Sequence, residues 1–318
     1  MADQRLFPVP VLPSPATRWW TPPTPLAVPT RSAVSVARLI RLAWLEARPV
    51  VQLMFQLRFA TGAAIAGGLT MSRSLLLGAL AWLCASWHIY LLNGLCDQVE
   101  DRRNGSGRPL ADGRLPVAAA RRIAWALAAL ALVVAVAVSP LFCVLVVVFL
   151  ALGFVYSAGP RPQKAVVWGF VAVVTGGGLT TYVAGWVAGG GRLSPELVVV
   201  AITMSLWMAL AGTTKDLSDV DGDRLAGRRT LPVLFGDRIA RRIMALLTLG
   251  VAGWALASAL WWAPELLAAV VVLASGAVTV AVSVLQAPST TDRRRQRRPY
   301  RLFMLSQLAT HVVVLAGI

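Results

Sequence analysis

Acidic side chains are scarce in this chain, with 14 Asp and Glu against 30 Lys and Arg in 318 residues. Charge of either sign is also sparse, at 14% of residues against a hydrophobic share of 57%. Soluble domains carry about 25% charged residues, so an ordinary soluble fold is excluded. Mean hydropathy of +0.69 agrees. Cysteine is limited to Cys84, Cys96 and Cys143, an odd number in apolar segments without paired or metal-ligand spacing. That excludes a disulfide framework and a thiolate metal site. His88 and His311 each stand alone in an apolar segment and read as hydrogen-bonded packing residues, with His88 near any cavity only because it shares a segment with Asn93. The start lacks a basic stretch followed by an apolar core, so it is no cleaved signal peptide. Instead residues 1–34 are proline-rich and predict a disordered cytosolic tail.

What the chain has in abundance is long apolar windows, at 51–70, 74–96, 116–138, 141–157, 165–188, 194–214, 239–262, 264–286 and 302–318. Most approach the ~20 residues that span a bilayer. They predict an all-α, multi-pass membrane protein of nine transmembrane helices, with the membrane domain running over 51–318. Before them, Arg38, Arg41 and Arg48 share one helical face over residues 35–50, which predicts an interfacial helix. The net charge of +16 could suggest a nucleic-acid partner, but the basic residues are segregated. They fill the N-terminal region and every even-numbered connection, while the opposite connections hold little beyond Arg73 and Arg192. By the positive-inside rule the basic side and the N-terminus are cytoplasmic. The charge is therefore topological, with some left over for anionic lipid, and no nucleic acid is expected.

Half of the acidic side chains sit in two short clusters, Asn93-Gly-Leu-Cys-Asp97-Gln-Val-Glu100-Asp101 and Asp216-Leu-Ser-Asp219-Val-Asp221-Gly-Asp223. Each closes a long apolar segment, where carboxylates are costly unless paired or bound to cations. Asn93, Asp97 and Asp101 fall at i, i+4, i+8, and Asp216, Asp219 and Asp223 at i, i+3, i+7, so a continuous helix would line each set along one edge. Like charges this close raise one another's pKa unless a cation intervenes. Hard oxygen ligands suit Mg²⁺, which takes one or two carboxylates and completes its shell with water and phosphate.

Cations and hydroxyls flank both clusters. Arg108 follows the first, Lys215 precedes the second, and Tyr156, Ser157, Arg161 and Lys164 lie on the connector between them. Such groups bind phosphate oxygens and stabilise a leaving diphosphate. Arg58 differs, because it lies inside the first apolar window and needs a partner or water there; it joins the candidate diphosphate ligands.

Asn93-xxx-Asp97-xxx-Asp101, continued by Arg108-Pro-Leu-Ala-Asp-Gly113-Arg114, resembles the first signature of the UbiA-type intramembrane prenyltransferase superfamily. Lys215-Asp216-Leu-Ser-Asp219-Val-Asp221-Gly222-Asp223-Arg224, followed by Gly227-Arg-Arg-Thr-Leu-Pro-Val, resembles the second, and Tyr156-Ser157 with Lys164 resembles the connector motif. The resemblance covers essentially everything after residue 50. It implies a helical bundle around a central cavity and Mg²⁺-dependent transfer of an isoprenyl chain from an allylic diphosphate to an acceptor, usually aromatic or a quinone precursor. Asn93, Asp97 and Asp101 would hold one metal ion and Asp216, Asp219 and Asp223 the other. Asp97, Asp101, Asp219, Asp223 and Lys164 would carry catalysis, and Arg58, Arg108, Tyr156, Ser157, Arg161, Lys164 and Lys215 the diphosphate. Gly94 departs from the pattern, since many members carry aspartate after the asparagine; it lies off the Asn93 edge, so the departure bears on acceptor recognition rather than metal binding.

Other classes fit less well. Transporter carboxylates lie near mid-bilayer on broken helices, and the CDP-alcohol phosphotransferase signature requires an aspartate where Ser218 stands. Within the superfamily, a terpene cyclase needing no acceptor and a lipid or carotenoid prenyltransferase share the same motifs. The rich Ala, Val and Arg usage is that of a GC-rich bacterial genome, which points to the bacterial inner membrane.

Overall fold

A computed structural model describes residues 35–67, 69–286 and 292–317. The expected proline-rich tail, residues 1–34, lies outside them. A short helix α1 (Val36–Glu46) covers the stretch where an interfacial helix is expected, with the Ser35 side chain accepting from the Arg38 N–H at its start. Nine helical segments among the described residues are long and apolar enough to cross a bilayer, as the apolar windows predict. They are built on α2 (Pro49–Gly67), α3 (Arg73–Cys96), α5 (Val117–Val136), α6 (Pro140–Ser157), α7 (Val167–Gly189), α8 (Pro195–Leu210), α10 (Leu231–Trp262), α11 (Leu267–Gln286) and α13 (Arg298–Gly317), with the spans on α8, α11 and α13 extended by short helical turns to Pro195–Ser218, Pro264–Gln286 and Arg293–Gly317. Short helices α4 (Gln98–Arg103), α9 (Val220–Leu225) and α12 (Arg293–Gln296) sit in the connections.

Local chemistry sets the ends of these helices. Ser72, Ser139 and Ser194 accept the N–H groups that open α3, α6 and α8, and proline follows Ser139 and Ser194 in the first turn. Helix α10 is interrupted at Gly236, whose φ of 73° no ordinary helical residue adopts, so its apolar span begins just after that point.

Of the three buried apolar clusters among the described residues, one packs α1 against α3 and α5, and the other two are built around aromatic stacks. In one, Trp82 stacks on Phe149 at 4.5 Å between ring centroids and packs with Phe59 and Phe142. In the other, Trp207 stacks on Phe303 at 5.7 Å, and the Tyr182 hydroxyl pairs with His311 Nε2 at 2.6 Å. His88 instead bonds the Ala124 carbonyl through Nδ1 and leans on Trp125, away from the cavity described below, contrary to the expectation that it would sit near one.

Helices α2 and α7 join the two halves through backbone proximity. A Cβ on Gly185 would collide with the Phe59 carbonyl, and one on Gly62 with the Tyr182 carbonyl. Small residues at such crossings let helices approach where lipid supplies no hydrophobic drive. Gly185→Val is accordingly expected to destabilise the protein by about 1–3 kcal/mol, the usual cost of overpacking. Thermal unfolding in detergent checks this, and an unchanged transition temperature would contradict the close crossing.

Candidate active site

Both acidic clusters are built the same way, and not as the continuous helices their spacing suggested. Helix α3 stops at Cys96, Asp97 leaves helical geometry at φ −99° and ψ 11°, and α4 restarts at Gln98. In the second cluster α8 tightens into a 3₁₀ segment, Ala211–Ser218, Asp219 breaks at φ −121° and ψ 9°, and α9 restarts at Val220. Each break turns one aspartate inward, and Glu100 and Asp101, or Asp221 and Asp223, fall in the first turn of the restarted helix, where negative charge is favoured. Asn104 at the end of α4 accepts the Gly222 N–H at 2.9 Å, which ties the two restarts together.

The result is one cavity of about 200 Å³ whose mouth carries Asn93, Asp97, Asp101, Asp219 and Asp223. Lys215, Tyr156 and Ser157 line the same cavity. Its wall is apolar, with Phe55, Phe149, Phe170 and Phe303. Lys215 Nζ lies 3.4 Å from the Tyr156 hydroxyl and 4.5 Å above the Phe170 ring.

Cations hold these carboxylates together. Asp97 Oδ1 takes Lys164 Nζ at 2.5 Å and Arg228 Nη2 at 2.6 Å, and its Oδ2 accepts from Asn93 Nδ2 at 3.1 Å. The other arm of Arg228 reaches Asp223 Oδ1 at 3.2 Å, so one guanidinium spans both clusters. Asp219 Oδ1 pairs with Arg293 Nη2 at 2.8 Å and Ser218 Oγ at 3.0 Å. Burial works to raise the Asp97 pKa, but Arg228 and Lys164 outweigh it and hold the carboxyl well below its usual range. Burial likewise opposes ionisation of Asp219, and Arg297 with Arg293 reverses that. For Asp223, burial wins over Arg228 and Lys215, and its pKa rises. The Arg228 guanidinium, although buried, is held protonated by Asp97, Asp223 and Glu100. Its backbone is fixed as well, because the neighbouring Arg229 N–H donates to the Ala165 carbonyl at 2.7 Å, beside Lys164.

Not every expected ligand faces this cavity. Asp216 is buried but absent from the lining. Lys164 stands behind Asp97, and with Arg161 lines an adjoining cavity of about 350 Å³. Arg108 is turned into the protein, with Nη1 on Asp101 Oδ2 at 2.7 Å and Nη2 on Glu46 Oε1 at 2.7 Å. Arg58 lines the cavity, about two turns into α2 from Pro49.

Several residues here escaped sequence reasoning. Arg228 lies within the Gly227-Arg-Arg-Thr-Leu-Pro-Val run, whose resemblance to a signature was the available signal. Arg293 belongs to the basic run read as topological. Arg48, at the junction of α1 and α2, lines the cavity and has a positive φ of 58°, a conformation that costs energy for a residue with a Cβ. Glu46 had only its isolation as the lone acid of residues 35–50.

Among the described residues, no three His, Cys, Asp or Glu side chains are grouped so as to hold a metal ion by themselves. The donor set nevertheless suits Mg²⁺, because oxygen donors from both clusters face one cavity and leave the rest of the shell to water and phosphate. Arginines and a lysine supply the positive charge these carboxylates need.

Glu46 explains Gly94. A Cβ at Gly94 would collide with the Glu46 carboxylate, which is fully buried against Arg108 and also accepts the Leu110 N–H at 2.9 Å. Burial raises the pKa of Glu46 against the pull of Arg108. Glu46→Ala removes one of the two carboxylates on Arg108 and the acceptor of the Leu110 N–H, and should cost about 1–3 kcal/mol. Adding Gly94→Asp in that background returns a carboxylate to the vacated space and should recover most of the loss. Equilibrium unfolding of the two variants checks this; no recovery in the double variant would contradict the exchange.

Comparisons with known proteins agree with this geometry. A model of the UbiA prenyltransferase family matches residues 57–307. Digeranylgeranylglyceryl phosphate synthase of Natronomonas pharaonis is 30% identical over 177 residues, 56% of this chain and 62% of that protein, so this chain spans less than two thirds of that relative. The synthase of the same name from Methanopyrus kandleri is 27% identical over 281 residues, 83% of this chain and 95% of that protein. A solved UbiA homolog from Archaeoglobus fulgidus bound to GPP and Mg²⁺ superposes with a TM-score of 0.66 at 21% identity, covering 86% of this chain and 99% of that one, a likeness of fold. Because the family match takes in both broken acidic helices and the connector between them, the chain belongs to the UbiA prenyltransferase family.

Proposed function

We propose that the protein transfers an isoprenyl chain from an allylic diphosphate to an acceptor within the membrane, with Mg²⁺ and release of diphosphate. The observation that carries this reading is the division of one cavity into a charged mouth and an apolar wall. A diphosphate is dianionic or more and needs the first; a polyisoprenyl tail needs the second. The segregation of basic residues supports a cytoplasmic mouth and N-terminus in the cell membrane.

In this reading Asn93, Asp97 and Asp101 would hold one metal ion and Asp219 and Asp223 the other; Asp216 is buried and does not line the cavity. Bound Mg²⁺ neutralises charge on the diphosphate and so favours its departure. Lys215, Tyr156, Ser157 and Arg228 meet the diphosphate oxygens from the cavity side. Lys164 orients Asp97 through its 2.5 Å contact, Arg108 orients Asp101, and Arg161 lines the adjoining cavity. As the allylic carbon–oxygen bond breaks, the electron pair leaves with the diphosphate, and the cationic side chains at the mouth stabilise it. The aromatic faces of Phe55, Phe149 and Phe303 line the space left to the allylic cation, where they exclude water and stabilise positive charge. A nucleophilic atom of the acceptor then bonds to the allylic carbon, and an aromatic acceptor loses one proton.

Asp97→Ala and Asp219→Ala are each expected to lower diphosphate release by about 10²-fold or more, as removal of a principal electrostatic group does. Chelation of divalent cations should abolish turnover of the wild type and added Mg²⁺ restore it. The assay is release of diphosphate from geranylgeranyl diphosphate in detergent, with thermal unfolding as a control for folding. Wild-type rates in both variants would overturn the assignment, and a cyclic hydrocarbon formed without acceptor would replace the transferase by a cyclase.

A further inference from the structure

Beside the reaction cavity lies a separate recess of about 330 Å³, lined by Arg48, Arg108, Arg114 and Arg297 together with Ser106 and Leu45. No acidic side chain among the described residues lines it. Two of the four arginines have carboxylate partners elsewhere. Arg108 holds Glu46 and Asp101 at 2.7 Å each. Arg114 pairs with Asp112 at 2.9 Å, but both side chains are about half exposed, so water screens that pair and leaves it weak.

The other two lack such partners. Among the described residues the Arg48 side chain makes no ion pair and no hydrogen bond. Asp101 and Asp219 act on it from beyond ion-pair distance and are held instead by Arg108 and Arg293. Arg297 donates from Nε to Ser218 Oγ at 3.3 Å and likewise has no ion pair. Arg48 and Arg297 also act on each other as like charges. The backbone adds a second cost, since Arg48 has a φ of 58°, a conformation that persists in a residue with a Cβ only where its surroundings impose it, and that gathers at ligand clamps. The positive-inside rule accounts for basic residues on one side of the membrane. It gives no reason for two unpaired arginines, one of them strained, to share an acid-free recess.

We propose that this recess is a second anion site, in which Arg48 and Arg297, joined by Arg114 from its weak surface pair, bind a phosphate group other than the diphosphate of the donor. Planar guanidinium groups meet phosphate oxygens through paired N–H donors, and a phosphate here would relieve the repulsion between Arg48 and Arg297. Two sources offer this chemistry. Leu45, Val50 and Leu53 are exposed on α1 and α2, next to Arg48 in the chain, and would lie against the apolar part of a phospholipid whose headgroup fills the recess. Arg48 also lines the reaction cavity, so a soluble phosphate or diphosphate leaving that cavity would meet the recess directly. Either occupant would neutralise an arginine at the cavity mouth and so link the two sites electrostatically.

The test follows thermal unfolding of the full chain in nanodiscs without Mg²⁺. One arm titrates inorganic phosphate into phosphatidylcholine discs at an ionic strength held constant with chloride. The other replaces part of the phosphatidylcholine by phosphatidylglycerol. At least one arm is expected to raise the unfolding temperature of the wild type; a rise with phosphate alone identifies a soluble occupant, and one with phosphatidylglycerol alone a lipid headgroup. Arg48→Gly, which removes the charge while glycine adopts the same φ freely, should raise the half-saturating concentration about tenfold, the value of one charged hydrogen-bonded contact. Arg297→Gln should do the same and the double variant should abolish the rise. If Arg297→Gln fails to fold, Arg48→Gly alone carries the comparison. Lys215→Met, a change in the reaction cavity, should leave the rise intact. No rise in either arm, a rise unchanged by the arginine variants, or a rise lost in Lys215→Met would each overturn the inference and leave the prenyl-transfer reading standing.

Discussion

The bridge from Asp97 through Arg228 to Asp223 is the contact on which the rest of the site depends. Five carboxylates, those of Asp97, Glu100, Asp101, Asp219 and Asp223, line one cavity, an arrangement that repels itself in the absence of positive charge. Arg228 takes one oxygen from each cluster, at 2.6 and 3.2 Å, and Lys164 takes Asp97 from behind. Two edges that belong to distant parts of the chain are thereby fixed opposite one another. Under the proposed function, metal ions would replace these side-chain cations, so the carboxylates would keep a counter-charge throughout. A truncated Arg228 would leave two buried anions facing each other without their shared partner.

Holding the edges in place falls to the connections. Asn104 bonds the backbone of Gly222, Arg229 bonds that of Ala165, and Glu46 anchors Arg108, which in turn holds Asp101. Helix α1 is thus joined to the site by a buried carboxylate. Glu46 sets an acid beside Arg108 in the space that a side chain at position 94 would need.

Much of this was legible in the sequence because bilayer physics leaves strong marks. Apolar windows of spanning length match the nine spanning helices among the described residues, and both clusters of scarce acids contribute to the lining of one cavity. Their i, i+4, i+8 and i, i+3, i+7 spacings predict continuous helices, however, and do not show the breaks at Asp97 and Asp219. A break depends on what each aspartate meets across the cavity, here Arg228 and Arg293, which lie 131 and 74 residues away in sequence. Arg108 and Lys164 are expected from the sequence to bind diphosphate, but spacing could not tell that both face carboxylates. Glu46 and Arg48 carried no pattern, since their roles arise from the packing of α1 against α3 and α5. The resemblance of Gly227-Arg-Arg-Thr to a family signature pointed at Arg228 without saying what it does.

The central claim is that the two broken acidic helices together form a single metal-diphosphate site. It is tested most directly by a structure of the protein with Mn²⁺ and geranyl thiolodiphosphate, an analogue that ionises poorly, using anomalous scattering to locate the metal. The account predicts Mn²⁺ on the carboxylates of both clusters, with the diphosphate between them and Arg228 turned onto its oxygens. Diphosphate bound elsewhere, with the Asp97–Arg228–Asp223 bridge intact and no metal at either cluster, would contradict it.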